Sequence, residues 1–474
     1  FTAVANGTTG IDLSWLTAST GAYGYMILQK TGSSAPTGLP SDATSYSVGS
    51  VIGDGTVAAI VTPGAALAAS ITGLNIGTQY SFTIIPFNYS GLATATFNFY
   101  TDAPIPSATA STDYPPSTTY TWIGADNAAW NVAANWNPVR TTPATTDILQ
   151  FNDGTTKTVT AVTTETIAQL IVSNNTVINL QSSAAVTLTI SGSAGTDLVI
   201  PAGCALNLNA INAITISLTT GATGSISGTM TYSATANTGH RLFASDASAI
   251  TFNNGSSITV GPFCTGNIFG TANLNSIVFG SGTTYIAKSG SNPFGAGQPN
   301  SVVVFQTGSL YLINANLTPS LSGRTYGNLE VDFPTALLNT SGTAAVSIDN
   351  VIITNGTMNF NMSATPGHSI KGNITVAAGG ILTFAPASAG TVNLNGTSAQ
   401  TISNAGTLTF GALSTINVNN TNGVTLSSPV AFNNLSFTDG LITTGANTVT
   451  VNGTLSGGSA TAHVNGKLAL PFAA

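Results

Sequence analysis

Short strands in which apolar residues alternate with Thr or Asn recur along most of this chain and are separated by Gly and Asn. In the last third, Thr354–Phe360, Ile374–Phe384 and Gly406–Phe410 share the order Gly, any residue, apolar, Thr or Asn, apolar. The unit returns about every 20 residues, which fits one coil of a parallel β-helix. No segment has the 3.6-residue apolar period of an amphipathic helix. The pattern therefore predicts an all-β chain dominated by a long right-handed parallel β-helix, or β-solenoid.

The charge content fits this architecture. Only 5% of the 474 residues are charged, and the formal net charge is −7. Like charges stacked in register about 4.8 Å apart would repel one another, whereas Asn and Thr side chains can form hydrogen-bonded ladders between coils. A coil of this length predicts roughly 16 to 18 coils and a rod on the order of 80 Å long.

Composition also excludes two classes of partner. Lys and Arg number only eight in the whole chain, which is too few for the basic patch that nucleic-acid binding needs. Apolar residues occur in short runs, and the strongest stretch, Val57–Ser70, is interrupted by Pro63 and Gly64. Since a spanning helix needs about 20 consecutive apolar residues, we expect no membrane span.

Residues 1–108 differ from the rest of the chain in motif. Ile11–Trp15 alternates with Trp15 facing inward, and Tyr80 follows a turn at the end of the motif Leu74–Tyr80 (LNIGTQY). This arrangement resembles the tyrosine corner of fibronectin type III and related sandwiches, and Pro36–Val57 resembles fibronectin-like modules of secreted Bacteroidota proteins. The resemblance implies an N-terminal β-sandwich. We expect it to be a spacer, because no exposed aromatic cluster or charged patch is evident in its sequence.

A Pro/Ser/Thr segment, residues 109–119, predicts an extended linker. It precedes a tryptophan-rich segment, residues 120–154, that contains Trp122, Trp130 and Trp136. This segment resembles the opening of β-solenoid passengers and adhesin repeats in bacterial surface proteins. Two interpretations stand: the indoles close the open end of the first coil, or they form aromatic platforms for sugar rings.

Residues 155–474 make up the predicted parallel β-helix, taken either as one array or as two consecutive modules that divide near residue 325. The segments Asn395–Phe437 and Ile442–Leu468 resemble regions of very large Bacteroidota cell-surface proteins. Such proteins are typically exported by the type IX secretion system. The resemblance implies an extracellular, cell-surface location.

Catalytic groups are sparse in the predicted solenoid. Its best carboxylate pair is Glu330 and Asp332, two residues apart on one strand face, with Arg324 nearby. A second candidate is His240 with Arg241, near Asp246. We expect both sets to be ordinary surface groups and each of the three histidines, His240, His368 and His463, to face solvent.

No cofactor is predicted, with one alternative. Asp126, Asp147 and Asp153 lie near the start of the solenoid, and carboxylate oxygens are the ligands that calcium prefers. Cys204 and Cys264 are expected to be two buried, unpaired thiols, although a disulfide between them stays open.

These observations favour an extracellular structural or adhesive protein, without enzymatic activity, that acts as a stalk or filament segment. Its expected partners are surface glycans or other adhesin subunits, including further copies of the chain in an oligomer or filament. The alternative is a secreted glycan-binding or polysaccharide-degrading β-helix protein.

Overall fold

The computed structural model describes residues 1–19, 21–290, 292–364 and 366–471. The chain is all-β, with about 1% of its residues in helix, as predicted. It forms two compact units: Phe1–Ser117 together with Ser193–Gly195, and the remaining described chain from Thr118 onward. Within the described residues, no helix has the length and apolar character needed to cross a membrane.

The first unit contains nine strands and one short 3-10 helix, Thr94–Thr96. In chain order the strands are β1 (Thr2–Ala5), β2 (Gly10–Ser14), β3 (Gly24–Thr31), β4 (Val51–Ile52), β5 (Gly55–Val61), β6 (Ala68–Thr72), β7 (Gln79–Asn88), β8 (Asn98–Phe99) and β9 (Ser107–Ser111). They form an antiparallel sheet β1-β2-β6 and a second antiparallel sheet β4-β5-β3-β7-β8, to which β9 adds by pairing with β7.

One apolar cluster of this unit includes Trp15, Ile27 and Tyr80, all buried. The hydroxyl of Tyr80 accepts a hydrogen bond from the backbone N–H of Asn75 at 3.1 Å, the local contact expected of a tyrosine corner. A second apolar cluster, around Met26 and Phe87, involves the opposite-facing side chains of β3 and β7. Membership of the fibronectin type III family stays a prediction.

The second unit is a β-solenoid of about 13 turns, which confirms the predicted parallel β-helix. It begins with β10 (Thr118–Trp122), the 3-10 helix Ala133–Asn135 and β11 (Trp136–Asn137). The strands that follow are β12 (Asp147–Phe151), β13 (Thr156–Val159), β14 (Glu165–Ile167), β15 (Gln169–Val172), β16 (Val177–Leu180), β17 (Val186–Ile190), β18 (Leu198–Ile200), β19 (Ala205–Asn209), β20 (Ile214–Leu218), β21 (Gly224–Ile226), β22 (Thr229–Ser233), β23 (Arg241–Ala244), β24 (Ile250–Phe252), β25 (Ser257–Val260), β26 (Ile277–Phe279), β27 (Thr284–Ala287), β28 (Val303–Phe305), β29 (Leu310–Ile313), β30 (Thr325–Tyr326), β31 (Asn328–Thr340), β32 (Ser347–Ile348), β33 (Val351–Phe360), β34 (His368–Ile370), β35 (Ile374–Phe384), β36 (Gly390–Leu394), β37 (Gln400–Asn404), β38 (Thr407–Phe410), β39 (Ser414–Asn419), β40 (Val424–Leu426), β41 (Val430–Phe432), β42 (Asn434–Asp439), β43 (Ile442–Val451), β44 (Leu455–Ser456) and β45 (Val464–Ala469).

Four parallel sheets run along the solenoid. A 16-stranded sheet extends from β13 to β45. A nine-stranded sheet ends at β28, a four-stranded sheet ends at β23, and a seven-stranded sheet runs from β30 to β44. The exception to parallel pairing is β10 with β11, which are antiparallel at the first coil. The nine-stranded sheet therefore gives way to the seven-stranded sheet between Phe305 and Thr325.

Coil length corrects the predicted number of coils. Leu170 pairs with Leu198, and Gly224 with Ile250, so these coils take 28 and 26 residues. After the change of sheets the coils shorten, and Thr325 pairs with Ser347, 22 residues on. The prediction of 16 to 18 coils is wrong because the repeat was read from the last third, where coils are shortest. With about 13 turns, the stack measures about 60 Å at 4.8 Å per coil.

A single apolar core fills the solenoid, and polar ladders run outside it. Phe279 stacks between Phe252 and Phe305, with ring centroids 4.4 and 5.0 Å apart. On an outward position, the Asn417 amide donates to the Asn393 side-chain oxygen one coil away at 2.9 Å. The predicted Asn ladders are thus present, because the alternation of each strand sends one set of residues in and the other out.

The coil corners use residues that tolerate positive φ. Gly440 has φ +87°, and a Cβ there would meet the carbonyl oxygen of Asn420. Asn174 and Asn175 adopt φ of 56° and 55°. Left-handed backbone and close approach together explain why Gly and Asn punctuate the strands.

Candidate functional site

The three tryptophans of the opening segment are buried together. Trp122, Trp130 and Trp136 are at most 2% exposed. Trp136 lies edge-on to both other indoles, with ring centroids 4.9 and 5.2 Å away, and its Nε1 donates to the Trp130 carbonyl at 2.9 Å. Their faces are therefore unavailable to a sugar ring, and we base no glycan binding on them. A role in closing the first coil stays a prediction.

A buried ionic cluster lies beside these indoles. Arg140 donates to Asp147 Oδ2 at 2.7 Å and to Glu165 Oε2 at 2.8 Å, and Trp130 Nε1 also donates to Glu165. Burial lowers the pKa of Arg140, but the bonds to Glu165 and Asp147 outweigh it and leave that pKa above its usual value. Every charge in this cluster has an opposite partner.

The structure does not bring the three calcium candidates together. Asp147 is engaged by Arg140, Asp126 accepts from the Thr158 backbone N–H at 2.7 Å, and Asp153 lies 3.4 Å from the Lys157 ammonium. Across the described ranges, no group of three or more His, Cys, Asp or Glu side chains is placed to hold a metal ion. The arrangement therefore gives no support to calcium at these positions.

Glu330 and Asp332 do share the outer face of β31, because Leu329 and Val331 between them are buried. Each carboxylate is held by the next coil: Glu330 accepts from Thr354 Oγ1 at 2.6 Å, and Asp332 from Asn355 Nδ2 at 2.7 Å. The expectation that Arg324 accompanies this pair is wrong. Arg324 precedes β30 in a different sheet, and within the described chain no carboxylate lies within 4.0 Å of it.

Two of the three histidines are buried, which corrects the expectation of solvent-facing side chains. His240 is 0% and His368 1% exposed, whereas His463 is exposed. Nδ1 of His240 accepts from the Ile214 backbone N–H at 3.1 Å, and Nδ1 of His368 from that of Val346 at 3.2 Å. Burial lowers the pKa of both rings. They are neutral core residues that satisfy backbone donors.

The remaining sequence predictions concern Arg241 and the cysteines. Arg241 donates to the backbone oxygens of His240 and Thr265, each at 2.8 Å, while Asp246 accepts from the Gly221 N–H at 2.6 Å. No catalytic set forms from them. Cys204 and Cys264 are both buried and free, as expected, and burial raises the pKa of Cys264 to about 11.

An aromatic cluster in the first unit was not anticipated. Tyr89 and Phe97 stack with centroids 4.1 Å apart and 7° between their planes, and Tyr23 lies edge-on to Tyr89 at 5.5 Å. All three rings are half-buried and line a cavity of about 120 Å³. The expectation that this unit lacks an exposed aromatic cluster is wrong. The cavity is small against the roughly 300–1,000 Å³ of typical ligand pockets.

The largest concave surface lies where the nine-stranded sheet gives way to the seven-stranded sheet. Two clefts, here called the Arg324 clefts, open there with volumes of about 440 and 520 Å³. They share Pro299, Arg324 and Thr325. The first is also lined by Asn275, Phe294, Asn300 and Ser301, and the second by Gln298, Ala344, Ala345, Ser347 and Ser369.

Arg324 is the charged side chain common to both clefts. It is 6% exposed, its terminal nitrogens donate to the carbonyls of Ala296 (2.6 Å) and Asn300, and its guanidinium carbon lies 4.8 Å from the Phe294 ring centroid. Burial lowers its pKa. The sequence held one signal for this site: Asn292–Asn300 (NPFGAGQPN) is a Pro- and Gly-rich loop, and such loops often carry function.

Comparison with known proteins yields little. No family model and no curated protein matches the chain. One similar solved structure is an exopolygalacturonase of family 28 from Yersinia enterocolitica, with 10% sequence identity, alignment over 98% of this chain and 97% of the other, and a TM-score of 0.25.

This comparison corrects two predictions, the structural or adhesive function and the absence of enzymatic activity, since the similar structure is that of an enzyme. We retain neither. A TM-score of 0.25 gives no ground for transferring the activity of that protein to this chain. Function is therefore argued from the geometry of the Arg324 clefts.

Proposed function

We propose that this chain is a secreted polysaccharide-binding protein and that the Arg324 clefts are its binding surface. The observation that carries the proposal is their continuity: two clefts on successive coils share Pro299, Arg324 and Thr325 and are lined by amides and hydroxyls. A chain of sugars needs an extended surface with many neutral hydrogen-bonding groups and some apolar contact. A compact metabolite would need one enclosed pocket instead.

The location of the clefts supports a binding role. They lie where the coil changes from one sheet to another, so the surface departs from the even side of a regular solenoid. Phe294, Val303 and Phe305 supply apolar lining, while Asn275 and Ser301 supply amide and hydroxyl groups. An extracellular location accords with the low charge content. The resemblance to Bacteroidota surface proteins and type IX secretion stays a prediction.

Binding is tested on a panel of immobilised polysaccharides with two matched variants. Ala345 is exposed on the second cleft, so Ala345→Trp fills the cleft without entering the core. Thr343, exposed in the same loop, does not line either cleft, and Thr343→Trp is the control. We expect Ala345→Trp to weaken binding at least tenfold and Thr343→Trp to leave it unchanged. Equal binding by both variants would refute the proposed site.

The same panel tests for degradation through release of reducing ends. Glycoside hydrolysis commonly uses two carboxylates on either side of the scissile bond, and neither Glu330 nor Asp332 lines the clefts. The proposal at this site is therefore binding. Reducing ends released by the wild type and not by Glu330→Gln would extend the function to hydrolysis at the outer face of β31.

A further inference from the structure

The charge of Arg324 is not balanced by the protein. The residue is 6% exposed, and within the described chain no carboxylate lies within 4.0 Å of its guanidinium. A buried cation without a counterion is costly, because carbonyl dipoles replace only part of its lost hydration. Arg140, the other deeply buried arginine, has two carboxylate partners. Arg324 thus departs from the way this same chain compensates a buried charge.

Its hydrogen-bonding capacity is also unfilled. A guanidinium carries five N–H donors. Two bonds, to the carbonyls of Ala296 and Asn300, are made by the terminal nitrogens, and Nε has no acceptor. Stacking on Phe294 offsets part of the charge but accepts none of the remaining protons. The side chain holds the loop and still has donors to offer.

The surroundings favour an anion over a cation at this point. Apart from Arg324, every residue that lines either cleft is neutral. An anionic group in the clefts would therefore meet a cation and no carboxylate. The net charge of −7 opposes long-range attraction, so recognition has to act at contact distance, where charge-assisted hydrogen bonds from arginine to carboxylate or sulfate are strongest.

From these observations we infer that the Arg324 clefts select polysaccharides that carry anionic substituents, carboxylate or sulfate, with Arg324 as the group that pairs with them. The inference rests on the proposed polysaccharide binding and adds its ligand class. Arg324 is a specificity determinant under this inference, and the amides and hydroxyls of the clefts contact the neutral parts of the sugar chain.

The test uses three polymers with one backbone: dextran, carboxymethyl dextran and dextran sulfate. We expect the full chain to bind at least one of the two anionic polymers ten times or more as tightly as dextran. Comparison of the carboxymethyl and sulfate forms identifies the preferred anion. Equal affinity for all three polymers would overturn the inference.

Variants assign the preference to Arg324. Arg324→Gln should abolish the preference for the anionic polymers, and Arg324→Lys, which keeps the charge, should retain part of it. Arg241→Gln is the matched control, because Arg241 also donates to two backbone carbonyls but does not line the clefts. A preference that survives Arg324→Gln refutes the inference. If Arg324→Gln does not fold, loss of the preference in Ala345→Trp, with Thr343→Trp unaffected, supplies the same test.

Failure of the inference can be told from failure of the proposed function. If dextran and its anionic derivatives bind equally and Ala345→Trp weakens all three, polysaccharide binding stands and anionic selection falls. If Ala345→Trp weakens none, the clefts are not the binding surface, and both proposals fall together.

Discussion

Arg140 and Asp147 form a buried ion pair at 2.7 Å, in which both side chains are 3% exposed. Arg140 also binds Glu165, whose carboxylate accepts from the indole of Trp130. The cluster thus joins strands β12 and β14 to the tryptophans of the first coil. It makes the start of the solenoid depend on a single cation.

Replacing Arg140 with Met should destabilise the solenoid by about 3–5 kcal/mol, since it leaves two buried carboxylates without a cation. The free energy of unfolding is measured by denaturant titration with tryptophan fluorescence, in a Trp15→Phe background so that the remaining indoles report. Lys30→Met, which breaks a partly exposed ion pair with Asp54, should change stability far less. Equal losses for the two variants would contradict this account.

His240 and His368 should make the protein less stable in mild acid. Their pKa values are lowered by burial, so as pH falls below about 6.5 the unfolded chain takes up protons that the folded chain does not. The loss at pH 5.5 should reach up to about 1.4 kcal/mol per histidine relative to pH 7.5. Stability is full above pH 6.5, where both states are neutral.

Denaturation at both pH values, applied to single variants, checks this. His240→Gln and His368→Gln should each remove one share of the pH dependence, and His463→Gln, at an exposed position, should remove none. An unchanged pH dependence in both buried variants would show that other groups are responsible.

Phe279→Ala should cost about 3–5 kcal/mol, because the ring is fully buried between Phe252 and Phe305 and its loss leaves a cavity in a stacked core. Ile211→Ala is the control, since Ile211 is 67% exposed and should change stability by less than about 0.5 kcal/mol. Chemical denaturation followed by circular dichroism measures both. A loss below about 1 kcal/mol for Phe279→Ala would mean that the coils collapse onto the cavity.

The Asn393–Asn417 contact should contribute through coupling between coils. A double-mutant cycle with Asn393→Ala and Asn417→Ala should give an interaction energy of about 0.5–1.5 kcal/mol, the usual net value of a hydrogen bond. The bond joins side chains at 2.9 Å on adjacent coils. Strictly additive losses would indicate that water replaces this bond without cost.

Particular residues mark how far sequence reasoning reached. The alternation in Val392–Leu394 and its neighbours predicted strands, and the Asn positions predicted ladders, because each depends only on nearest neighbours along a strand. Glu330 and Asp332 were rightly placed on one outer face for the same reason. Coil length was misjudged because it depends on the loops, whose lengths have no period.

Burial of His240 and His368, the enclosure of Trp122, Trp130 and Trp136, and the separation of Arg324 from Glu330 are decided across coils. Such relations join residues 20 to 30 positions apart, and a local pattern does not encode which wall of the coil each residue reaches. The Arg324 clefts arise in the same way, from loops of different coils that meet where one sheet replaces another.

The sequence by itself determined that this chain is a low-charge, all-β solenoid with neutral ladders, because period-two alternation and charge repulsion act locally and in every coil. Only the tertiary structure decided where the surface is concave and which charge lacks a partner. Arg324 has the same sequence neighbours whether its charge is compensated or not. Its neighbours in space, Ala296, Asn300 and Phe294, set its chemistry.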